Sequence, residues 1–194
     1  RGAVGPVRVL LDAAANPNLQ STAGCNALAI AAMQIPTGSS SEPATALVDA
    51  LLAAKADVNI GHPARETETD GAVERKLRKN IGLNFPLLAA ITRGSNVAKN
   101  VLVLLRAGAD ANARDGFNMT ALHHAVRAGN GFMVMALLAD ASLHIYAKDS
   151  PFDEMGGPVW PGRESLELNV ADHNGGWTPL TYAIANESVR FTKA

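Results

Sequence analysis

The chain has 194 residues, of which 47% are apolar and only 5% aromatic. This length is sufficient for one globular domain with a sizeable core or for a short repeat array. Charged residues make up 18% of the chain and the formal net charge is −1, which argues against a phosphate backbone or an acidic lipid surface as partner. A core rich in Ala and Leu with few rings favours closely packed helices over a β-sandwich.

The single cysteine, Cys25, excludes an intramolecular disulfide and favours a reducing compartment. The residues after Arg1–Pro6 do not form a signal peptide, and no apolar run reaches the length that spans a bilayer. We therefore expect an intracellular, cytoplasmic protein that does not insert into a membrane.

A Leu-Leu pair followed by a short turn recurs four times along the chain. The pairs stand at 10–11, 51–52, 104–105 and 137–138, and their turns at 14–18, 55–59, 108–112 and 141–145. Three of the four turns end in Asn at the same offset, namely Asn18, Asn59 and Asn112. Leu104 and Leu137 are 33 residues apart, a period typical of one class of helical repeat.

A second motif recurs between the pairs, with Leu in its third place and Ala in its sixth. It begins at 26, 85, 120 and 178. Leu and Ala three residues apart lie on one face of a helix. Thr120 and Thr178 are predicted N-caps. Gly94 and Gly129 are expected to end this first helix of the repeat, and Gly108 to end the second helix in a left-handed cap.

These two motifs resemble the ankyrin repeat family, most closely over residues 108–145, and the resemblance covers nearly the whole chain. It implies an all-α solenoid of stacked helix-turn-helix units with short β-hairpin fingers, a finger being the loop between the turn and the next first helix. We expect one domain over 1–194 with about five repeats. Their predicted bounds are 1–18 (partial), 19–59, 60–112, 113–145 and 146–194 (partial). The first and last residues fall inside repeats, so we expect a piece of a longer protein.

Insertions distinguish this chain from the regular pattern. About eight extra residues lie within Gln34–Pro43, between the two helices of one repeat. Two fingers are expected to be longer still, with 18 extra residues between Asn59 and Phe85 and 25 between Ile145 and Thr178. Long loops of this kind are functional or disordered, and Trp160 in the second one indicates packing or a partner.

The residues that carry chemistry do not form a recognisable catalytic or metal site. His123 stands where the family resemblance implies a structural role, bridging turn backbones. Adjacent residues on a helix face different directions, so His123 and His124 do not share a metal readily. Cys25 lacks a readable base and oxyanion site, and no Gly-rich phosphate loop is present. We therefore predict no enzyme activity, no cofactor and no small-molecule substrate.

The resemblance places recognition on the finger tips and on the exposed ends of the first helices. Phe117, Met119 and Trp177 are expected to form an apolar stripe across adjacent fingers, as interface anchors. The alternative is that these three side chains pack under the insertion at 146–171. The full set of candidate binding residues is Arg93, Arg114, Phe117, Met119, Arg127, Trp160, Asn174 and Trp177.

Three functional hypotheses follow from these patterns. The first is a scaffold or adaptor module that binds a protein partner and no nucleic acid. The second is a structural subunit of a large assembly, whose insertions are ordered by neighbours. The third is a regulatory ankyrin segment of a larger enzyme or channel.

Overall fold

The computed structural model describes residues 4–21, 25–34, 45–61, 85–94, 97–138 and 166–191, with side chains to 187. Over these residues the chain forms eight helices. They are α1 (Val4–Asp12), α2 (Ala27–Ala32), α3 (Ala46–Ala53), α4 (Pro86–Arg93), α5 (Ala98–Arg106), α6 (Ala121–Arg127), α7 (Gly131–Leu138) and α8 (Pro179–Phe191).

The helices pack as two parallel rows, which is the solenoid arrangement expected from the repeat. The first helices of the repeats, α2, α4, α6 and α8, contact one another in succession. The second helices α1, α3, α5 and α7 do the same, and α2, α4 and α6 each pack on the second helix of their own repeat. The three complete helix pairs therefore bury their apolar faces against a neighbouring repeat as well as within the pair.

The two Leu motifs build the core between the rows. Leu28, Leu87 and Leu122, in the third place of the first-helix motif, are all buried. Leu51, Leu104 and Leu137, each the first Leu of its pair, are buried too. The Ala in the sixth place is buried at three of its four positions, 31, 90 and 125, where a small side chain allows close helix packing, and is half-buried at 183.

The predicted helix ends are confirmed. Thr120 and His123 form a reciprocal capping box at the start of α6, and Thr178 Oγ1 accepts from the Thr181 amide. Gly94 and Gly129 have φ of 92° and 64° where the first helices end, and Gly108 has φ of 86° after α5.

The same left-handed position after a second helix is occupied by a residue other than glycine in two repeats. Ala14 has φ of 64° and Lys55 has φ of 62°, in the place of Gly108. Since a Cβ makes this conformation costly, we expect Lys55→Gly to raise the free energy of unfolding by about 0.5–1 kcal/mol. Chemical denaturation measures the change. Lys55→Ala is the matched control, because it removes the same side chain without relieving the strain, and an equal gain from both variants would contradict this explanation.

The Asn that ends each turn ties one repeat to the next. Asn18 Oδ1 accepts from the Asp57 amide at 2.8 Å, and Asn59 Oδ1 accepts from the Asp110 amide at 2.7 Å. Asn59 Nδ2 also donates to the Gly108 carbonyl at 3.0 Å. These bonds form a ladder along the turns, which explains why Asn recurs at this offset.

The ladder continues to Glu167, whose amide donates to Asn112 Oδ1 at 2.9 Å. Glu167 thus holds the place of Asp110, and Asn169 the place of Asn112. Asn169 lies nine residues before Thr178, against eight from Asn112 to Thr120, so the fifth finger is only one residue longer than the fourth.

The prediction of 25 extra residues inside the fifth finger is therefore wrong, because the turn that precedes this finger is at 166–169. Spacing from the Leu-Leu pair at 137–138 predicts this turn at 141–145, and those residues lie outside the described part of the chain. The repeat bounds remain predictions, with the fourth repeat now ending at Asn169 rather than at 145. The 18-residue insertion before Phe85 and the loop at 35–44 also lie outside the described residues.

The β-hairpin form of the fingers is not confirmed. In the parts of the chain that the structure describes, the strand-like pairing is a single bridge between Gln20 and Asn26. The fingers are instead loops whose ends are joined by one backbone hydrogen bond, for example from the Asp115 amide to the Met119 carbonyl at 3.0 Å.

Candidate interaction surface on the fingers

The fourth finger (113–119) is held in shape by a buried carboxylate. Asp115 Oδ1 accepts hydrogen bonds from the amides of Phe117 and Met119, both at 2.9 Å. Asn118, two residues before Thr120, has φ of 60°, a left-handed conformation that asparagine tolerates. The finger is thereby folded around one side chain rather than around a strand ladder.

The same carboxylate joins the finger to α6. His124 Nε2 donates to Asp115 Oδ2 at 2.8 Å, and both side chains are only 1% exposed. Burial by itself raises the pKa of Asp115. The hydrogen bonds from His124 and from the two finger amides outweigh burial, so the pKa lies below its ordinary value. The ionised carboxylate is therefore the form that the fold stabilises.

In the fifth finger (170–177) a carboxylate again accepts from finger amides and from a helix side chain, but the helix donor is a different residue. Asp172 Oδ1 accepts from the amides of Gly175 and Trp177 at 3.2 and 3.0 Å, and Oδ2 accepts from the Tyr182 hydroxyl at 2.6 Å. Burial raises the pKa of Asp172, but the bonds from Tyr182 and from the finger amides lower it overall. Burial and the neighbouring carboxylate raise the pKa of Tyr182, so its hydroxyl keeps its proton.

The second finger shows what happens when the carboxylate is replaced. Ser21 stands in the place of Asp115, and its hydroxyl accepts from the Cys25 amide at 3.2 Å. Ile30 stands in the place of His124 and is 48% exposed. The helix supplies a polar donor in the two repeats whose fingers carry an acid, and an apolar residue in the repeat whose finger carries Ser.

His123 has the structural role that the family resemblance implied. Its Nδ1 lies 3.1 Å from the Thr120 amide and its Nε2 lies 3.2 Å from the Trp177 carbonyl. A backbone amide always donates, so Nδ1 must be the acceptor and Nε2 must carry the proton. The buried ring thus links the fourth repeat to the fifth finger.

The two fingers are also joined directly to each other. The His173 amide donates to the Phe117 carbonyl at 2.8 Å, and Asn118 Nδ2 donates to the Ala171 carbonyl at 2.8 Å. Arg114 pairs with Glu167 across the same boundary. The fourth and fifth fingers therefore present one continuous, internally bonded edge.

The predicted apolar stripe is wrong at Met119. This side chain is fully buried, whereas Phe117 is half-buried and Trp177 is 42% exposed. Met119 is enclosed because it closes the fourth finger against the array, with its amide on Asp115 and its sulfur 3.9 Å from Arg127 Nη1. Trp177 holds the equivalent place in the fifth finger, and no described finger lies beyond it.

The other candidate binding residues are exposed, with one exception. Arg127 and Asn174 are exposed, and Arg114 is exposed although paired with Glu167. Arg93 is exposed with Nε 3.4 Å from the Met33 carbonyl, so it lies at a distance along the array from the two fingers. Trp160 is outside the described residues.

Trp177 and Arg127 are both connected to Tyr182 of α8. The Trp177 ring contacts that of Tyr182 at a centroid distance of 5.1 Å in a tilted arrangement. The positive charge of Arg127 acts on Tyr182, partly opposing the burial and the carboxylate that raise its pKa. Trp177, Tyr182 and Arg127, which we call the Trp177 surface, combine an aromatic face with a guanidinium group.

Two further observations bear on other kinds of site. Within the described ranges, no group of three or more His, Cys, Asp or Glu side chains is placed to hold a metal ion. None of the helices in that part of the chain is long and apolar enough to cross a membrane.

Comparison with known families agrees with the architecture. A family model described as ankyrin repeats, in three copies, matches residues 87–194. The match covers more than half of the chain, which therefore belongs to the ankyrin repeat family. No curated protein sequence matches the chain.

Proposed function

We propose that this chain is a scaffold or adaptor module that binds a partner protein through the fourth and fifth fingers, with Trp177 as the anchor. Ankyrin repeats are in general protein–protein interaction modules. The observation that carries the proposal is a Trp that stays 42% exposed although its own backbone is fixed by Asp172. Exposed aromatic side chains of this kind are over-represented among the residues that dominate binding energy.

The Trp177 surface is organised before any partner arrives. The Trp177 amide donates a hydrogen bond to Asp172, and the Trp177 carbonyl accepts one from His123 Nε2. The Trp177 ring contacts the ring of Tyr182. Fixing the backbone and one face of the ring in advance lowers the entropy lost on binding. Arg127, whose charge acts on Tyr182, favours a partner segment that places a carboxylate near an apolar side chain.

The buried polar groups of the fingers support binding rather than catalysis. Asp115, His124 and Asp172 are each engaged in hydrogen bonds that hold the fold, as is His123. The formal net charge of −1 favours a protein partner over nucleic acid. We therefore propose a non-catalytic role without cofactor or small-molecule substrate.

We expect Trp177→Ala to weaken partner binding by about 30-fold or more, the effect of removing a central aromatic anchor. Quantitative affinity purification from native lysate, followed by titration of the recovered partner, measures this. Leu168→Ala is the matched control, because Leu168 is 48% exposed and lies outside the Trp177 surface. A partner recovered equally well by both variants would show that Trp177 is not the anchor.

A further inference from the structure

The tip of the fifth finger carries an Asn-Gly pair, Asn174–Gly175, and the chain has one other such pair, Asn130–Gly131. Asparagine is a thermolabile residue, because the backbone amide that follows it can attack its side-chain carbonyl carbon and expel ammonia. Glycine in the next position leaves that amide unhindered, since it has no side chain. The two pairs have the same chemistry, so the structure around each one decides whether it reacts.

The side chain of Asn130 is held in place. Asn130 directly precedes α7, and its Oδ1 accepts from the Met133 amide at 3.2 Å, which is the hydrogen bond of an N-cap. Ring closure requires the side-chain carbonyl carbon of Asn130 to turn towards the Gly131 amide, and this movement breaks the cap. The first pair is therefore protected by the helix that it begins.

The side chain of Asn174 is not held in this way. Asn174 and Gly175 are both exposed, and none of the described residues forms a hydrogen bond with the Asn174 side chain. The exposure of a finger tip does not depend on the absence of a neighbour. Gly116, at the tip of the fourth finger, is exposed although the fifth finger is bonded to the fourth.

The neighbours of Gly175 both require this glycine and assist its reaction. A Cβ on Gly175 would lie 2.9 Å from Trp177 Cδ1 and 3.0 Å from Trp177 Nε1, closer than side chains pack. The position of the Trp177 ring thus requires the residue that makes Asn174 reactive. Asp172 Oδ1 accepts from the Gly175 amide at 3.2 Å, so a carboxylate already lies within reach of the proton that the attacking amide must lose.

We propose that Asn174–Gly175 is a self-modifying site, at which the Asn174 side chain becomes a carboxylate and the fifth finger is released from Asp172. In the first step the Gly175 nitrogen bonds to Cγ of Asn174, and its proton passes through Asp172 to the departing nitrogen, which leaves as ammonia. In the second step water opens the cyclic imide. Cleavage between Cγ and the nitrogen leaves aspartate at position 174, and cleavage between the main-chain carbonyl carbon and the nitrogen leaves isoaspartate.

The modification acts on the hydrogen bonds that fix the finger. The imide nitrogen of Gly175 carries no proton, so its bond to Asp172 is lost when the ring closes. Isoaspartate then lengthens the main chain before Gly175 by a methylene group, which displaces the Trp177 amide from its 3.0 Å contact with Asp172 Oδ1. Both products also place a new negative charge in the same finger as the Asp172 carboxylate, and like charges repel.

The test is peptide mapping by mass spectrometry on the purified 194-residue chain, incubated at neutral pH in water enriched in heavy oxygen. The peptide with Asn174 should take up heavy oxygen and yield both aspartate and isoaspartate. It should react at least about fivefold faster than the peptide with Asn130, because Asn130 must first give up its cap. In denaturant, where the cap is absent, the two Asn-Gly pairs should react at similar rates.

Hydrogen exchange on the incubated chain measures the release of the finger. The amides of Gly175 and Trp177 should lose protection in the converted fraction. Asn174→Gln is the matched control, because its longer side chain closes a ring much less readily, and it should keep its mass and its protected amides. An unreactive Asn174, equal rates at Asn130 and Asn174 in the folded chain, or conversion that leaves both amides protected overturns the proposal. None of these measurements involves a partner, so their outcome is independent of binding at the Trp177 surface.

Discussion

Asp115→Ala should lower the free energy of unfolding by about 3 kcal/mol, a large part of the stability of a domain of this size. The substitution removes one acceptor from three donors at once, namely the amides of Phe117 and Met119 and His124 Nε2. The side chains of Asp115 and His124 are each only 1% exposed. Water therefore cannot take the place of the carboxylate as acceptor without disturbing the packing. Denaturant unfolding followed by circular dichroism measures the loss.

Asp110→Ala provides the matched control in the same repeat. Asp110 Oδ1 also accepts a backbone amide two residues later, that of Asn112, at 2.8 Å, but the residue is exposed. Water can satisfy the freed amide there, so we expect a loss of about 1 kcal/mol or less. Similar losses for the two variants would show that burial of the Asp115 carboxylate contributes nothing beyond an ordinary turn.

A double-mutant cycle isolates the link between finger and helix. We expect His124→Ala to destabilise the chain on its own but to cost much less once Asp115 is already Ala, because the two side chains share one bond. Additive losses would indicate that His124 acts through packing alone and not through Asp115.

The features that sequence reasoning found are those that recur at a fixed offset. Thr120 as a cap, Gly108 as a left-handed cap and the Leu-Leu pairs are repeated because the backbone needs the same chemistry in every repeat. The Asn in each turn was visible as a pattern, but its role as a bond to the next repeat depends on residues 39 to 55 positions away.

The hydrogen bond between Asp115 and His124 was not predicted, because the helix residue at the place of His124 is of a different type in each repeat. The equivalent residues are Ile30, Ala89 and Tyr182, which share no chemistry when the helices are aligned alone. The signal was present in the pairing: each finger with an Asp at this place is followed nine or ten residues later by a side chain that can donate.

The misplaced insertion and Met119 have a common cause. Spacing from a Leu-Leu pair locates a turn only when no residues are inserted after the helix, and residues 139–165 intervene there. Exposure at a finger tip, in the same way, depends on whether a neighbouring finger covers it. Met119 and Trp177 hold equivalent places, yet one is buried and the other is 42% exposed.

Acidification should destabilise the chain in two separate stages, the first of which is due to His123. Burial lowers the pKa of this ring below its ordinary 6.5, and the bond to the Trp177 carbonyl opposes this only in part. The unfolded chain therefore takes up a proton more readily than the folded one, so the stabilising contribution is complete above about pH 6.5. It is lost as the pH falls from there through the folded pKa.

The physical reason lies in the hydrogen bonds of the ring. Nδ1 accepts from the Thr120 amide while Nε2 donates to the Trp177 carbonyl, so a second proton on Nδ1 would face a donor. Protonation thus breaks the N-terminal cap of α6. The second stage follows at lower pH, because the pKa values of Asp115 and Asp172 lie below their ordinary 3.8 in the folded state. Their contributions are present above about pH 4 and are lost below it.

Denaturation midpoints measured from pH 8 to pH 3 separate the two stages. His123→Asn keeps an acceptor near the Thr120 amide but cannot be protonated, so it should lower stability by about 2 kcal/mol at pH 8. It should also flatten the stability profile as the pH falls below about 6.5, while the loss below about pH 4 remains. If the variant keeps the parental slope as the pH falls below about 6.5, the first stage belongs to another group, and the buried ring of His123 has only a structural role.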